Sequence, residues 1–240
     1  MSPRPGRAAS PAIGNAFLAV VALYPFAAAW LYFVALGDHP QMRLAYGGAK
    51  VLQALLPLVG WWLLRMDRST AAPTRGATRA GLLTGAILGG AVLAAWASPL
   101  ADWSALGPVP GRVWARLVAL GADTPVRFLA LAMFLSVLHS WFEEYYWRWF
   151  LFGQLERRMA GWKAMALSSV AFALHHWIVL DSFLAGAHRW TATLPLTATV
   201  AAAGAVWAWL YRRYGGLRSP WVSHLLVDAA LMAVGYQLIW

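Results

Sequence analysis

Two adjacent carboxylates, Glu143 and Glu144, sit in the run Trp141-Phe142-Glu143-Glu144-Tyr145-Tyr146-Trp147-Arg148-Trp149-Phe150, within an otherwise apolar stretch from Leu131 to Phe152. A charged side chain at the centre of a membrane span costs about 2.5 to 3.5 kcal/mol on insertion scales, so charges kept there call for a chemical reason. Helical residues four apart share a face, whereas residues five apart do not. Arg148 therefore lies over Glu144 and neutralises it, which leaves Glu143 on another azimuth and free. His176 follows Phe172 by four residues, and His224 precedes Asp228 by four. A free carboxylate, two imidazoles and a further carboxylate on three separate helices are what water activation and oxyanion stabilisation need in a dry site. His139 and His175, taken singly, read as interhelical hydrogen-bonding side chains. Only Glu143, Glu144 and Asp228 of the nine acids fall inside apolar runs; Asp38, Asp67, Asp102, Asp123, Glu156 and Asp181 lie in connections or at run ends.

The elements that hold these groups must be membrane helices. Of the 240 residues, 61% are hydrophobic and 12% charged, with a mean hydropathy of +0.57, and such a chain cannot cover a soluble globule with polar surface. Runs of about 20 apolar residues span a bilayer. Seven occur, at Ile13 to Leu36, Tyr46 to Leu64, Gly81 to Leu100, Phe128 to Phe152, Trp162 to Leu180, Thr191 to Tyr211 and Trp221 to Trp240. The expected fold is thus an all-α, polytopic integral membrane protein of seven spans, with an eighth, poorly marked span as the alternative and the site inside the bundle. The first run is too long for a signal-peptide core and lacks a clear cleavage site, so it reads as a retained span. No cysteine is present, which excludes a thiol nucleophile, disulfides and thiolate metal sites.

A formal charge of +10 could suggest nucleic acid, but the cations lie in short segments between apolar runs rather than on one basic face. Arg4 and Arg7 precede the first run. Arg65, Arg68, Arg75 and Arg79 follow the second, Arg157, Arg158 and Lys163 the fourth, and Arg212, Arg213 and Arg218 the sixth. The other side has Arg43, Lys50, Arg112, Arg116, Arg127 and Arg189, so the amino terminus is expected in the cytoplasm of a multi-pass inner-membrane protein.

Between the third and fourth runs, Val113, Trp114, Leu117, Val118 and Leu120 at helical spacing read as a short helix on the membrane surface or as an ordinary loop. Gly81, Gly85 and Gly89 form a small-residue stripe that lets helix backbones approach, here within the chain. Trp61, Trp62, Trp162, Trp190, Trp221 and Trp240, near run ends, read as interfacial anchors. Without repeats or a second soluble domain, the organisation expected is a cytoplasmic tail, 1–12, and one integral membrane domain, 13–240.

Glu143-Glu144-Tyr145-Tyr146-Trp147-Arg148 has the form EExxxR, Phe172-Ala173-Leu174-His175-His176 the form FxxxH, and His224-Leu225-Leu226-Val227-Asp228 the form HxxxN/D. In that order, with Tyr211-Arg212-Arg213-Tyr214-Gly215 and Ser219-Pro220-Trp221 leading into the last, they resemble the CPBP or Abi family of intramembrane proteases. That family includes CAAX prenyl endopeptidases and bacteriocin-immunity proteins. The motif-bearing part is about 128–240.

The resemblance implies an endopeptidase acting on a membrane-associated protein or peptide. Glu143 would activate a water with His176 assisting, and His224 with Asp228 would stabilise the oxyanion. Glu144, Arg148 and Phe172 would hold the site. CAAX endopeptidases carry Asn where this chain has Asp228, and an ionised carboxylate cannot donate to an oxyanion, so Asp228 is expected to orient His224 or bind a metal unless protonated. No cofactor is expected for a glutamate mechanism. Glu143, His176, His224 and Asp228 could nonetheless supply N and O ligands to zinc, although no HExxH run occurs. The abundance of Arg and only two Lys point to a bacterium, where processing of a sorting tail, bacteriocin maturation or immunity fits better than prenyl-protein cleavage. The competing readings are a proton-coupled transporter, since intramembrane Glu, His and Asp also relay protons, and a non-catalytic immunity or binding protein on the same scaffold. One geometric demand remains: His224 lies close to the cytoplasmic end of its run, whereas His176 lies about 20 Å along its own. Straight helices would not bring them level, so the fifth run is expected to start deeper, tilt or end irregularly.

Overall fold

The computed structural model describes residues 10–37, 39–64, 73–102, 106–184 and 189–240. Eight helices account for most of them: α1 Pro11–Ala35, α2 Met42–Leu63, α3 Ala77–Trp96, α4 Val109–Leu120, α5 Pro125–Glu156, α6 Gly161–Phe183, α7 Arg189–Tyr214 and α8 Arg218–Ile239. There is no strand among the described residues. The seven longer helices coincide with the seven expected spans, and each begins a few residues before the apolar run. Caps account for two of these early starts. Ser10 Oγ accepts from Ile13 N ahead of Pro11, and Thr124 Oγ1 accepts from Arg127 N ahead of Pro125, so a capped donor and a preset φ open each helix.

Six helices, all except α2 and α4, are long and apolar enough to cross a membrane. The protein is therefore a polytopic helical membrane protein. The 22-residue α2 is helical where a span was expected, but Arg43, Lys50 and Gln53 make it more polar. Lys50, counted above among charges of the outer side, lies eight positions after Met42 inside this helix. The segment expected as a surface helix or a loop is helical, as α4. Its Arg112 Nη1 donates to the carbonyls of Ser182 and Leu184 at 2.8 and 2.9 Å, which supplies partners for carbonyls at the end of α6. Arg43 likewise donates to the Ala119 carbonyl near the end of α4. Arg4, Arg7, Arg65, Arg68, Asp38, Asp67 and most of the expected tail, 1–9, lie outside the described residues.

The core forms around α5. Tyr146, Trp147, Phe150, Leu151 and Phe152 are essentially solvent-free and pack with Phe172 of α6 and Trp207 and Leu210 of α7. Large apolar side chains elsewhere, among them Val20, Leu58, Leu83, Ile87 and Trp62, face outward, which suits a lipid rather than a water boundary. The glycine stripe of α3 packs within the chain, against α8. A Cβ on Gly81 would lie 2.6 Å from the Ser219 carbonyl oxygen, and one on Gly85 would lie 2.8 Å from Leu226 Cδ1 and 2.9 Å from Ser223 Cα. Backbone thus meets backbone, and α8 is seated by small residues. Two successive left-handed glycines, Gly215 (φ 67°) and Gly216 (φ 70°), turn the chain from α7 into α8.

One polar contact fixes α1 against α5. Pro25 lies inside α1 and has no N–H, so the carbonyl four residues earlier loses its helical donor. That carbonyl belongs to Val21, and Tyr146 Oη donates to it at 2.6 Å.

Candidate active site

The side chains of the three motif helices, α5, α6 and α8, converge at the centre of the core. α5 is not a uniform helix here: π-helical turns at Phe134–His139 and Tyr145–Phe152 flank the α-helical turn Ser140–Glu144. Such insertions in a helix recur at functional sites, and this one presents both glutamates to the interior. Glu143 is 3% exposed and Glu144 is fully buried.

Glu144 and Arg148 pair as expected, Arg148 Nη1 lying 3.0 Å from Glu144 Oε1. The guanidinium also donates through Nη2 to the Gly204 carbonyl at 3.3 Å. It packs on two aromatic rings, 4.5 Å from the centroid of Phe172 and 5.1 Å from that of Trp207. Such a guanidinium, desolvated but stacked and paired, is a structural cation. A Cβ on Gly204 would come 3.3 Å from Phe172 and 3.4 Å from Arg148 Nη2, so a small residue is needed where α7 passes.

Glu144 has a second partner that the spacing did not reveal. His224 Nδ1 lies 2.7 Å from the same Oε1. The imidazole stacks on Trp207 at a centroid separation of 3.9 Å and an interplanar angle of 17°, and Trp207 Nε1 in turn donates to Ser223 Oγ at 3.1 Å. With Nδ1 engaged, Nε2 faces Asp228 Oδ1 at 3.5 Å and Glu143 Oε2 at 3.7 Å. Asp228 thus stands beside His224, as its helical spacing predicts.

Glu143 is surrounded by imidazoles. Its Oε1 lies 3.3 Å from His175 Nε2 and 3.6 Å from His139 Nε2, yet no group among the described residues hydrogen-bonds to it. Its lone pairs are therefore available to a further donor. His139 and His175, read singly as structural, both reach the carboxylate. His139 precedes Glu143 by one helical repeat, the same spacing used above for Arg148, and that signal was in the sequence. His175 stacks on Trp147 at an interplanar angle of 5°, and nothing in the sequence distinguishes Trp147 from the other aromatic residues of α5.

His176 hydrogen-bonds through Nδ1 to the Phe172 carbonyl at 3.0 Å. Since a carbonyl only accepts, Nδ1 carries the proton and Nε2 of the neutral ring keeps its lone pair. This contact also explains how two imidazoles at different depths meet. His176 is fifteen residues into α6 and His224 six into α8, about 22 and 9 Å along their axes. Phe172, eleven residues into α6, is level with His224, their ring centroids 6.1 Å apart. α6 therefore begins farther from the level of the site than α8. The His176 side chain leans back toward the start of its helix, as helical side chains do.

Glu143, His175 and His176 each place one ligand atom within 4.8 Å of the others. Two imidazoles and a carboxylate are the donor set of a catalytic zinc, so these residues could hold a metal after a small closure. The set differs from the expected one by including His175 and omitting His224 and Asp228.

A cavity of about 260 Å³ opens onto this centre, lined by Tyr46, Lys50 and Gln53 of α2 and by His139, Glu143 and Tyr146 of α5, among others. A buried carboxylate with available lone pairs, imidazoles on both sides and a cavity leading to it together can polarise a small nucleophile and receive its proton. Residues 125–230 match the family model described as Type II CAAX prenyl endopeptidase Rce1-like. No curated protein and no solved structure matches the chain.

Proposed function

We propose, from the match of residues 125–230 to the family model of Rce1-like type II CAAX prenyl endopeptidases, that the chain is an intramembrane protease and hydrolyses a peptide bond of a membrane-anchored protein or peptide with water activated by Glu143. The observation that carries this reading is Glu143 Oε1, buried without a hydrogen-bond partner among the described residues, beside His175 and at the wall of a cavity. A water between this oxygen and a peptide carbonyl would give its proton to Glu143 as the C–O bond forms. His176, with its Nε2 lone pair, and His175 assist the transfer and pass the proton to the leaving amine. His224, held through Nδ1 by Glu144 and flanked by Asp228, carries a second proton on Nε2 and donates it as a hydrogen bond to the oxyanion. Asp228 serves this step by balancing the imidazolium, which an ionised carboxylate can do although it cannot itself donate. Arg148, Phe172 and Trp207 hold the assembly in place.

The mechanism needs no metal. If zinc is bound by Glu143, His175 and His176, it would supply Lewis acidity to the same water, and the His224 and Glu144 roles would stand. The test is proteolysis of a panel of membrane-tail substrates by the purified protein and its Glu143→Ala variant, with and without a chelator. Cleavage by the parent in chelator, absent from the variant, is expected. Loss of parental cleavage in chelator would replace the glutamate mechanism by a metal one. Uptake of a solute that requires Glu143, with no proteolysis of any substrate, would replace the protease by a carrier.

A further inference from the structure

The cavity beside Glu143 contains a cation that the reaction does not use. Lys50 Nζ lies at the wall of that cavity and donates to Gln53 Oε1 at 3.3 Å. It stands 5.8 Å from the centroid of the Tyr46 ring. It forms no ion pair among the described residues, and the partly buried ammonium keeps two further donors. Gln53 is 9% exposed, and its amide nitrogen has no hydrogen bond among the described residues. The remaining walls are apolar or aromatic: Val51, Ala54, Phe134, Phe142 and Tyr146. A lysine held in such surroundings is costly to keep. One of only two lysines in the chain is therefore placed on the approach to the reactive carboxylate, in a helix that lies outside the matched residues 125–230.

We propose that Lys50 and Gln53 bind a carboxylate of the substrate and thereby select which bond is brought to Glu143; this rests on the endopeptidase reading above. The two side chains are one helical turn apart on α2 and offer an ammonium and an amide donor to the two oxygens of one carboxylate, a charge-assisted pair. At about 260 Å³ the cavity is smaller than the usual range for small-molecule sites, about 300 to 1,000 Å³. It admits a short chain end and not a loop passing through. The carboxylate is thus the carboxyl terminus of the substrate, with an acidic side chain as the other source of the same chemistry. Lys50 is a specificity residue and takes no part in bond cleavage.

The test uses full-length protein carrying Glu143→Gln, so that nothing is consumed, and three lipid-acylated apolar heptapeptides in detergent micelles. One ends in a free carboxylate, one in an amide, and one in an amide with Asp at the penultimate position. The free acid is expected to bind about tenfold more tightly than the amide, a difference of about 1.4 kcal/mol. Lys50→Met should abolish the difference by weakening the acid alone, and Lys50→Arg should restore most of it. Preference for the internal Asp peptide, lost in Lys50→Met, would assign the site to an acidic side chain and overturn the terminal reading. Equal binding of acid and amide, or a difference that survives Lys50→Met, would overturn the proposal. Binding that depends on Lys50 without cleavage that depends on Glu143 would sink the protease reading and with it the bond selection, leaving only a carboxylate-binding site.

Discussion

Glu144 Oε1 lies 2.7 Å from His224 Nδ1, so the two glutamates of the motif divide the work: the second holds an imidazole of α8 while the first faces the cavity. The same oxygen lies 3.0 Å from Arg148. A fully buried carboxylate with both partners fixes the direction of the His224 ring.

Replacing Glu144 by Gln keeps the shape but removes the charge that holds His224 Nδ1–H. Hydrogen bonds to charged groups contribute about 1.5–3 kcal/mol, which corresponds to about 10- to 100-fold in rate. Cleavage should fall by that factor in kcat with little change in KM. Unchanged kcat would show that His224 needs no such support.

Removing Arg148 strands a buried carboxylate, a change that typically costs about 3–5 kcal/mol. Arg148→Ala should lower both accumulation in the membrane and the melting temperature in detergent. The double variant Arg148→Met, Glu144→Leu should recover the accumulation and stay inactive. Normal levels of the single variant would refute the pairing.

The two imidazoles at Glu143 Oε1 are not equivalent. His175 is 7% exposed at 3.3 Å, and His139 is 22% exposed at 3.6 Å. General acid–base groups contribute about 10²- to 10⁴-fold, so His175→Gln should reduce kcat by about 100-fold or more. His139→Gln should cost less than about tenfold on the same scale. The reverse order, measured on one substrate, would move the assisting role to His139.

Gly85 is where α3 meets the backbone of α8. Gly85→Leu must displace Ser223 and Leu226, which flank His224, and overpacking of this kind costs about 1–3 kcal/mol. A drop in thermal stability together with lost activity is expected, and Gly90→Leu, at a position with nothing within 4 Å, should change neither. Equal effects at the two positions would show that the stripe does not seat α8.

The spans were legible because lipid demands long apolar helices, and the second glutamate's pairing with Arg148 was legible because helical spacing is a local rule. His139 obeyed that same rule and was passed over only because an imidazole on an apolar helix has an ordinary structural use. The contacts between helices were not legible: nothing in the order of residues places Trp207 under His224 or gives Glu144 to His224 as well as to Arg148. Lys50 was misread for a related reason. Summing charges by side of the membrane assumes that cations mark connections, and this one lies inside α2 and faces a cavity. The meeting of His176 and His224 was not legible because a count along the axis ignores the backward lean of the His176 side chain, which hydrogen-bonds to the Phe172 carbonyl one turn earlier.

The proline in α1 has a consequence for register. Apolar side chains in lipid pack nearly as well after a slide of one turn, about 5.4 Å, because the alternative contacts are equally greasy. A carbonyl without its helical donor does not tolerate such a slide, since nothing in the hydrocarbon can replace the lost partner. By freeing the Val21 carbonyl, Pro25 puts one graduation on an otherwise unmarked ruler, and Tyr146 reads it. Tyr146 is three residues from Glu143 on α5, so the height of the Glu143 carboxylate in the bundle is gauged from a helix that holds none of the proposed catalytic residues.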